Sequence, residues 1–136
     1  MKIIKQITIE EALPIRHKVM WPNKTLDYVK LPNDDLGRHY GFFIGATLIS
    51  VISLFITNKE AQFRKFATLD AYQGLGYGSI LLKEIMNISQ KEQLSRIWCN
   101  ARENKSGFYA KFGMRATEKT FEKGGLSYII MERNFT

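Results

Sequence analysis

Residues 40–57 form an uncharged stretch that could either cross a membrane or form buried strands of a sheet. The segment reads YGFFIGATLISVISLFIT and is just long enough to cross a bilayer. Gly45 divides it into two short runs rich in β-branched and aromatic residues, which is typical of strands. Hydroxyl side chains further dilute its hydrophobicity, at Thr47, Ser50, Ser53 and Thr57. We therefore predict a hairpin of two buried strands and no association with a membrane.

The length and composition are those of one compact protein. The chain has 136 residues, of which 45% are hydrophobic and 24% charged, and it contains no low-complexity tract or repeat. We predict a single domain over residues 1–136. The N-terminus lacks the long apolar core of a signal peptide, and Cys99, the one cysteine, cannot form an internal disulfide. We therefore expect a cytoplasmic protein in which Cys99 is a small buried side chain.

The net charge of +7 suggests an anionic partner. The basic residues are scattered along the chain and never form a run of five or more. No stacking platform or recognition motif for nucleic acid is visible. A small polyanionic ligand therefore fits the charge at least as well as a nucleic acid, which we do not expect as a partner.

The order of predicted elements indicates a mixed α/β fold. A strand at about residues 2–7 precedes a helix that Thr8 and Glu11 would cap reciprocally. Residues 22–35 read as a long loop with one helical turn, and the apolar hairpin leads to a strand at about residues 61–69. An amphipathic helix, a short strand and a short helix ending at Gly113 follow, and then a C-terminal hairpin that turns at Gly124 and Gly125. We predict a mostly antiparallel sheet of about six to seven strands flanked by about four helices.

A glycine-rich loop joins the predicted strand at residues 61–69 to the amphipathic helix. Gly74, Gly76 and Gly78 alternate with other residues. Without Cβ atoms, backbone N–H groups can approach a phosphate closely, and a helix N-terminus adds about half a positive charge. The loop is therefore a candidate anion site.

Two common phosphate loops do not fit this sequence. The nucleotide-triphosphate loop requires Gly-Lys-Ser/Thr, whereas Gly78 is followed directly by Ser79. The dinucleotide fingerprint requires a final glycine or alanine, and the two possible frames end instead at Ser79 or Leu81. Both kinds of nucleotide site are excluded.

A third frame, Gln73, Gly76 and Gly78, gives Q-x-x-G-x-G and resembles the acyl-CoA pyrophosphate loop of the GCN5-related N-acetyltransferase (GNAT) superfamily. Residues 107–114, GFYAKFGM, are similar to the second signature of that family, a tyrosine on a short helix before a glycine. The resemblance implies the GNAT fold and an acetyl-CoA-dependent N-acetyltransferase that moves the acetyl group to a primary amine by direct attack. It implies acetyl-CoA as co-substrate and no metal ion.

The resemblance also implies a set of coenzyme-binding residues. Backbone groups at the strand end would hold the pantetheine arm and the thioester carbonyl, at Phe66, Ala67 and Thr68. The loop would bind the pyrophosphate, chiefly through its amides, over Gln73, Gly74, Leu75, Gly76, Tyr77, Gly78 and Ser79. Further contacts to the pantetheine arm or nucleotide are expected from Asn100 and Asn104, for which capping of the short helix is the alternative role.

Tyr109 is the predicted catalytic residue. By the resemblance it would act as general acid toward the coenzyme thiolate, whose pKa is roughly 8.5 against about 10 for a phenol. Its alternative role is a core aromatic beside Phe108 and Phe112. The residue that deprotonates the amine is not identified, and the candidates are Glu60, Asp35, His39 and His17.

Several properties stay open at the level of sequence. The acceptor could be a polyamine, an amino acid, an antibiotic or a protein terminus. A noncatalytic acyl-CoA-binding module would keep the glycine loop without needing Tyr109. A homodimer is expected by analogy alone.

Overall fold

The computed structural model describes residues 1–135. It contains seven strands and three α-helices within those residues. The strands are β1 (Lys2–Ile7), β2 (Arg38–Ile44), β3 (Thr47–Thr57), β4 (Glu60–Thr68), β5 (Arg96–Arg102), β6 (Arg115–Lys123) and β7 (Leu126–Asn134). The helices are α1 (Ile9–Met20), α2 (Tyr77–Lys91) and α3 (Ser106–Ala110).

The strands form one sheet in the order β1-β2-β3-β4-β5-β7-β6. β1 and β2, β2 and β3, β5 and β7, and β6 and β7 pair antiparallel, whereas β4 and β5 pair parallel. The predicted mixed, mostly antiparallel α/β fold is therefore confirmed. The helical turn expected in the long loop is present as two short 3₁₀ turns, Leu26–Val29 and Asp34–Leu36.

The uncharged stretch forms the predicted hairpin. It supplies most of β2 and all of β3, and the chain turns between them at Gly45 and Ala46. Seven consecutive residues of β3 are buried, which accounts for the lack of charge. Among the helices of residues 1–135, none is both long and apolar enough to span a membrane.

Short-range sequence signals fix several boundaries. The Thr8 backbone N–H donates to Glu11 Oε1 at 3.0 Å, and the Glu11 N–H donates to Thr8 Oγ1 at 3.1 Å, which is the predicted capping box of α1. Gly124 and Gly125 have φ of +59° and +77°, as a tight turn between β6 and β7 requires. Asn58 and Lys59 adopt φ of +52° and +64° in the equally short turn between β3 and β4.

Two compact units make up the described chain. The first comprises Met1–Phe55 and Arg64–Ile85, and its core includes a cluster of Ile7, Ala12, Ile15, Val51 and Ala67. The second comprises Ile56–Phe63 and the chain from Met86 onward. Its buried residues include Ala61, Ile97, Met131 and Cys99, which is 3% exposed as predicted. The single domain over residues 1–136 stays a prediction, and Thr136 lies outside the described residues.

A buried ion pair fixes the long loop within the first unit. Arg16, fully buried on α1, donates through Nη1 and Nη2 to the two carboxylate oxygens of Asp34, both at 2.8 Å. Arg16 also donates to Val29 O at 3.1 Å and to Ser53 Oγ at 2.9 Å. Burial alone would raise the pKa of Asp34. The hydrogen bonds from Arg16 and from the Leu31 N–H, together with the charge of Arg16, hold that pKa below its usual range instead.

Candidate functional site

The second half of β4 contains an irregularity that the sequence does not predict. Lys65 has a φ of +55° in the middle of the strand, a conformation that non-glycine residues seldom adopt. Such a residue bends a strand locally and is typical of a bulge. The three predicted coenzyme-binding residues Phe66–Thr68 follow it immediately.

Ser50 of β3 organises the backbone at this strand end. Its hydroxyl donates to Ala67 O at 3.1 Å and lies 2.8 Å from Thr68 Oγ1. The Leu69 N–H donates to Ile49 O at 2.8 Å, so contact with β3 extends one residue past β4. Since Ser50 is fully buried, these bonds fix the strand end against the interior of the first unit.

The glycine loop follows a short 3₁₀ turn, Asp70–Tyr72. Gly74 and Gly76 have φ of +76° and +86°, and a Cβ at either position would meet no atom within 4 Å. Glycine is therefore required for the backbone conformation and not for lack of space. The Ile80 N–H donates to Gly76 O at 3.1 Å, so α2 begins there, and the N–H groups of Tyr77, Gly78 and Ser79 lie in its first turn.

Gly78 lets the first turn of α2 approach the strand end. A Cβ at this position would lie 3.3 Å from Phe66 Cζ and 3.3 Å from Thr68 Oγ1. A side chain at this position would therefore require the Phe66 ring, the Thr68 side chain or the first turn of α2 to shift. The Gln73 side chain makes a second connection, because its Nε2 donates to Thr68 O at 2.8 Å and to Asp70 Oδ1 at 3.1 Å. The structure thus brings the predicted loop and the predicted strand end into contact.

Tyr109, in the second unit, lies on α3 with its ring packed among other aromatic rings. The Phe63 ring centroid is 5.7 Å away and that of Phe108 is 5.2 Å away. Burial raises the pKa of the Tyr109 hydroxyl, and the negative charge that Cys99 carries when ionised raises it further. The hydroxyl therefore stays protonated and can act as a hydrogen-bond donor at neutral pH.

The chain after α3 is held by β7. Arg133 donates to Phe112 O at 3.2 Å, and Gly113 has a φ of +81° where the helical segment ends, as predicted. A Cβ on Gly113 would lie 3.2 Å from Arg133 Cδ. The second signature therefore forms a compact turn that fixes the position of Tyr109 within its unit.

Asn100 and Asn104 are exposed residues of the second unit. Asn100 lies in β5 opposite Ile130, and Asn104 lies in the 3₁₀ turn Glu103–Lys105. The N-cap of α3 is Lys105, so the alternative role of capping that helix belongs to neither asparagine.

Three of the four candidate bases already have partners. His39 is buried, with Nδ1 2.7 Å from Ser53 Oγ and Nε2 2.9 Å from Asp34 O. His17 Nε2 lies 2.6 Å from Lys24 O, and Glu60 accepts from Arg96 Nη1 at 3.0 Å. Asp35 is exposed. The two histidines and Glu60 therefore have structural contacts that removal of a proton from a substrate would disturb.

Three residues with a structural part in the loop or the strand end were not recognised from the sequence. Ser50 was read only as a diluting hydroxyl, Tyr77 only as a backbone donor, and Lys65 not at all. For Ser50 the signal was present, because a serine inside a strongly apolar strand needs a buried partner. For Lys65 the sequence offers no signal.

Comparisons with known proteins identify the family to which the chain is similar. The family model described as Acetyltransferase (GNAT) domain matches residues 33–135. The chain is 30% identical over 138 residues to "Uncharacterized N-acetyltransferase YitI" of Bacillus subtilis, covering 94% of this chain and 93% of that protein.

Solved structures show the same fold. A putative N-acetyltransferase from Lactobacillus plantarum superposes with a TM-score of 0.85 at 18% identity, covering 100% of this chain and 98% of that one. A Bacillus subtilis acetyltransferase in complex with CoA gives 0.77 at 17% identity, covering 100% of both chains. With a family model over most of its length and a curated relative along nearly all of it, the chain belongs to the GNAT family and is an N-acetyltransferase of that family.

Proposed function

We propose that this enzyme transfers the acetyl group of acetyl-CoA to a primary amine, with the glycine loop as the pyrophosphate site and Tyr109 as the acid for the leaving thiolate. The observation that carries the proposal is the conformation of the loop. Gly74 and Gly76 have positive φ directly before the first turn of α2. A backbone of this kind offers several N–H groups to one anion.

The pyrophosphate is assigned to the N–H groups from Gly74 to Ser79. Those of the first helical turn have no carbonyl of their own helix to bind, and the helix dipole adds positive potential there. Both effects favour a doubly charged pyrophosphate over a neutral ligand. The Bacillus subtilis structure in complex with CoA shows that a protein of this fold binds the coenzyme.

Polarisation of the thioester carbonyl is assigned to a backbone N–H at Phe66–Thr68. The Ala67 carbonyl, which shares a peptide plane with the Thr68 N–H, already accepts from Ser50. The orientation of that peptide is thereby fixed before the substrate arrives, and a fixed dipole needs no reorganisation during the reaction.

The proposed chemistry is a direct attack. The amine nitrogen forms a bond to the thioester carbon, the carbon–sulfur bond breaks, and the electron pair leaves with the sulfur of CoA. The Tyr109 O–H donates to that sulfur, while the attacking nitrogen loses one proton to water. Because burial raises the pKa of Tyr109, a hydrogen bond to the developing thiolate is favoured over complete proton transfer in the transition state.

The test compares two tyrosine variants. Tyr109→Phe removes the hydroxyl and keeps the ring against Phe63, and we expect kcat to fall about 100-fold or more with acetyl-CoA affinity changed less than about threefold. Tyr128→Phe is the matched control, because that ring also stacks on a phenylalanine, Phe121, with a centroid distance of 5.1 Å. Binding is measured by calorimetry, and turnover by CoA release across a panel of amines.

The outcomes separate the alternatives. Unchanged turnover in Tyr109→Phe would remove Tyr109 from the mechanism. If acetyl-CoA binds and no amine of the panel is acetylated, the noncatalytic acyl-CoA-binding module becomes the better interpretation. If acetyl-CoA neither binds nor raises the melting temperature, the coenzyme assignment is wrong.

Further properties are proposed on sequence grounds alone. They are contacts of Asn100 and Asn104 with the coenzyme, a cytoplasmic location, a homodimer, and the absence of nucleic-acid and membrane partners.

A further inference from the structure

The side chain of Tyr77 lies within the glycine loop and contacts three other elements. Tyr77 is the first residue of α2, between Gly76 and Gly78. Its ring meets the Phe42 ring edge-on, with centroids 5.4 Å apart and planes at 75°, and the Tyr72 ring with centroids 6.2 Å apart. The Lys2 ammonium lies 5.3 Å from the ring centroid.

These contacts connect the loop to a rigid part of the first unit. Phe42 is 1% exposed and lies in β2, which pairs on both sides with β1 and β3. Lys2 is the first residue of β1. Tyr72 belongs to the 3₁₀ turn at the start of the loop. One ring therefore joins the two ends of the loop and fixes both against the sheet.

The loop needs such an attachment because its glycines supply none. Gly74 and Gly76 leave open space where a side chain would be, so they make no packing contact of their own. A glycine also gives the backbone more conformational freedom than any other residue. Amides that bind one pyrophosphate must be held within about half an ångström of the productive geometry.

We propose that Tyr77 is a positioning residue for coenzyme binding. Its ring packs toward the sheet and holds the first-turn amides of α2 in place, and the ring does not touch the coenzyme. This rests on the proposed pyrophosphate site. The role differs from the backbone contact that the family resemblance implies for the same residue. The proposed positioning role makes the affinity for acetyl-CoA depend on an aromatic ring that faces Phe42.

The experiment replaces the Tyr77 ring and compares acetyl-CoA with S-acetylpantetheine, a shorter substrate. In Tyr77→Leu we expect the Kd for acetyl-CoA to rise about tenfold, the magnitude of losing one well-packed aromatic pair, with kcat at saturation within about twofold of wild type. S-acetylpantetheine, which lacks the pyrophosphate and nucleotide, should react with an unchanged KM. Tyr77→Phe keeps the ring and should bind acetyl-CoA like the wild type.

Phe43→Leu is the matched control. Phe43 is also a ring on β2 under a lysine of β1, with Lys5 Nζ 4.7 Å from its centroid, and the ring contacts described for residues 1–135 include none between Phe43 and the loop. We expect this variant to lose stability and to keep its acetyl-CoA Kd within about twofold. If Tyr77→Leu does not fold, Tyr72→Leu provides the same comparison with an expected rise of about threefold.

Each result decides the proposal. Equal acetyl-CoA affinity in wild type and Tyr77→Leu, or in wild type and Tyr72→Leu where the first variant is unfolded, overturns it. So does an equal loss for acetyl-CoA and S-acetylpantetheine, because the effect would then not be at the pyrophosphate. A wild type that binds no acetyl-CoA contradicts the proposed function itself, and the two failures are thereby distinguished.

Discussion

Replacing Asp34 with asparagine should destabilise the protein strongly. The carboxylate accepts three hydrogen bonds of 2.8 Å, two from Arg16 and one from the Leu31 N–H. The side chains of Arg16 and Asp34 are 0% and 11% exposed. Asp34→Asn keeps the shape of the side chain but leaves the guanidinium charge buried without a counter-charge.

The size of the loss follows from burial. Removing one partner of a buried ion pair costs about 3 to 5 kcal/mol, because the remaining charge is not solvated. Arg16 has little capacity to compensate, since its Nε already has no hydrogen-bond partner within residues 1–135. With an m-value of about 1 to 3 kcal/mol per molar urea, the midpoint of urea unfolding should fall by about 1 M or more.

The nearby Asp27→Asn variant is the control. Asp27 Oδ1 also lies close to a cation, 2.7 Å from Lys30 Nζ, but the two side chains are 82% and 50% exposed. Water solvates both charges after the substitution, so we expect no measurable change in the urea midpoint. Equal effects of the two substitutions would refute the reasoning that burial sets the magnitude.

The pH dependence gives the same prediction a second test. The pKa of Asp34 is lowered in the folded protein, so its contribution is complete above the unfolded-state pKa of about 3.9 and is lost as the pH falls through the folded-state pKa. The stability difference between wild type and Asp34→Asn should therefore be constant from about pH 6 to 7 and shrink below about pH 4. A difference that grows in acid would contradict the lowered pKa.

Three further predictions concern separate parts of the chain. Because burial, with a smaller effect of Cys99, raises the pKa of Tyr109 above its ordinary value of about 10, kcat should show no alkaline decline due to this group below pH 10; a tyrosine-dependent decline near pH 8 would contradict this. Burial raises the pKa of Cys99 to about 12, so a thiol reagent at pH 8 should label it only after denaturant is added, and rapid labelling of the native protein would show that the thiol is accessible. Lys59→Gly should raise the free energy of unfolding by about 0.5 to 1 kcal/mol, since Lys59 has a φ of +64° in a turn that favours glycine; a lower thermal midpoint would argue against strain there.

Features that depend on a few neighbouring residues were predicted from the sequence. The bond between Thr8 and Glu11 joins positions three residues apart, and the Gly124–Gly125 turn requires only its own two residues. Likewise, Gly45 within the uncharged segment was enough to predict the turn between its two strands. Local energetics decide such elements, so a short window contains the needed information.

The polar interior could not be predicted in the same way. Arg16 and Asp34 are 18 residues apart, and His39 meets Ser53 only because β2 and β3 pair in that register. His39 was therefore a candidate base until its partners were known. One signal was overlooked: Arg16 follows Ala12 and Ile15 on the buried face of α1, and a charge on an apolar face requires a partner.

For the candidate site, the glycine loop was easier to predict than the side chains that pack against it. The three glycines of residues 74–78 define a loop between strand and helix from sequence alone. Which side chains hold that loop depends on packing across β2 and β4, as with Tyr77 on Phe42 and Gly78 beside Phe66. Residues far apart in the chain determine those contacts, so their identities do not follow from the motif.

The parallel ladder of β4 and β5 has a consequence for how the chain folds. It joins Glu60–Gln62 to Arg96–Trp98, residues 36 positions apart, whereas the β3–β4 and β6–β7 hairpins close through two-residue turns. Closing the longer loop costs more chain entropy, so hairpins form early and this ladder forms late. Until it forms, one edge of β4 and one of β5 can pair with other chains. These two edges are therefore among the expected sites of aggregation during refolding, and stabilising α2, which lies between the two strands in the chain, should reduce it.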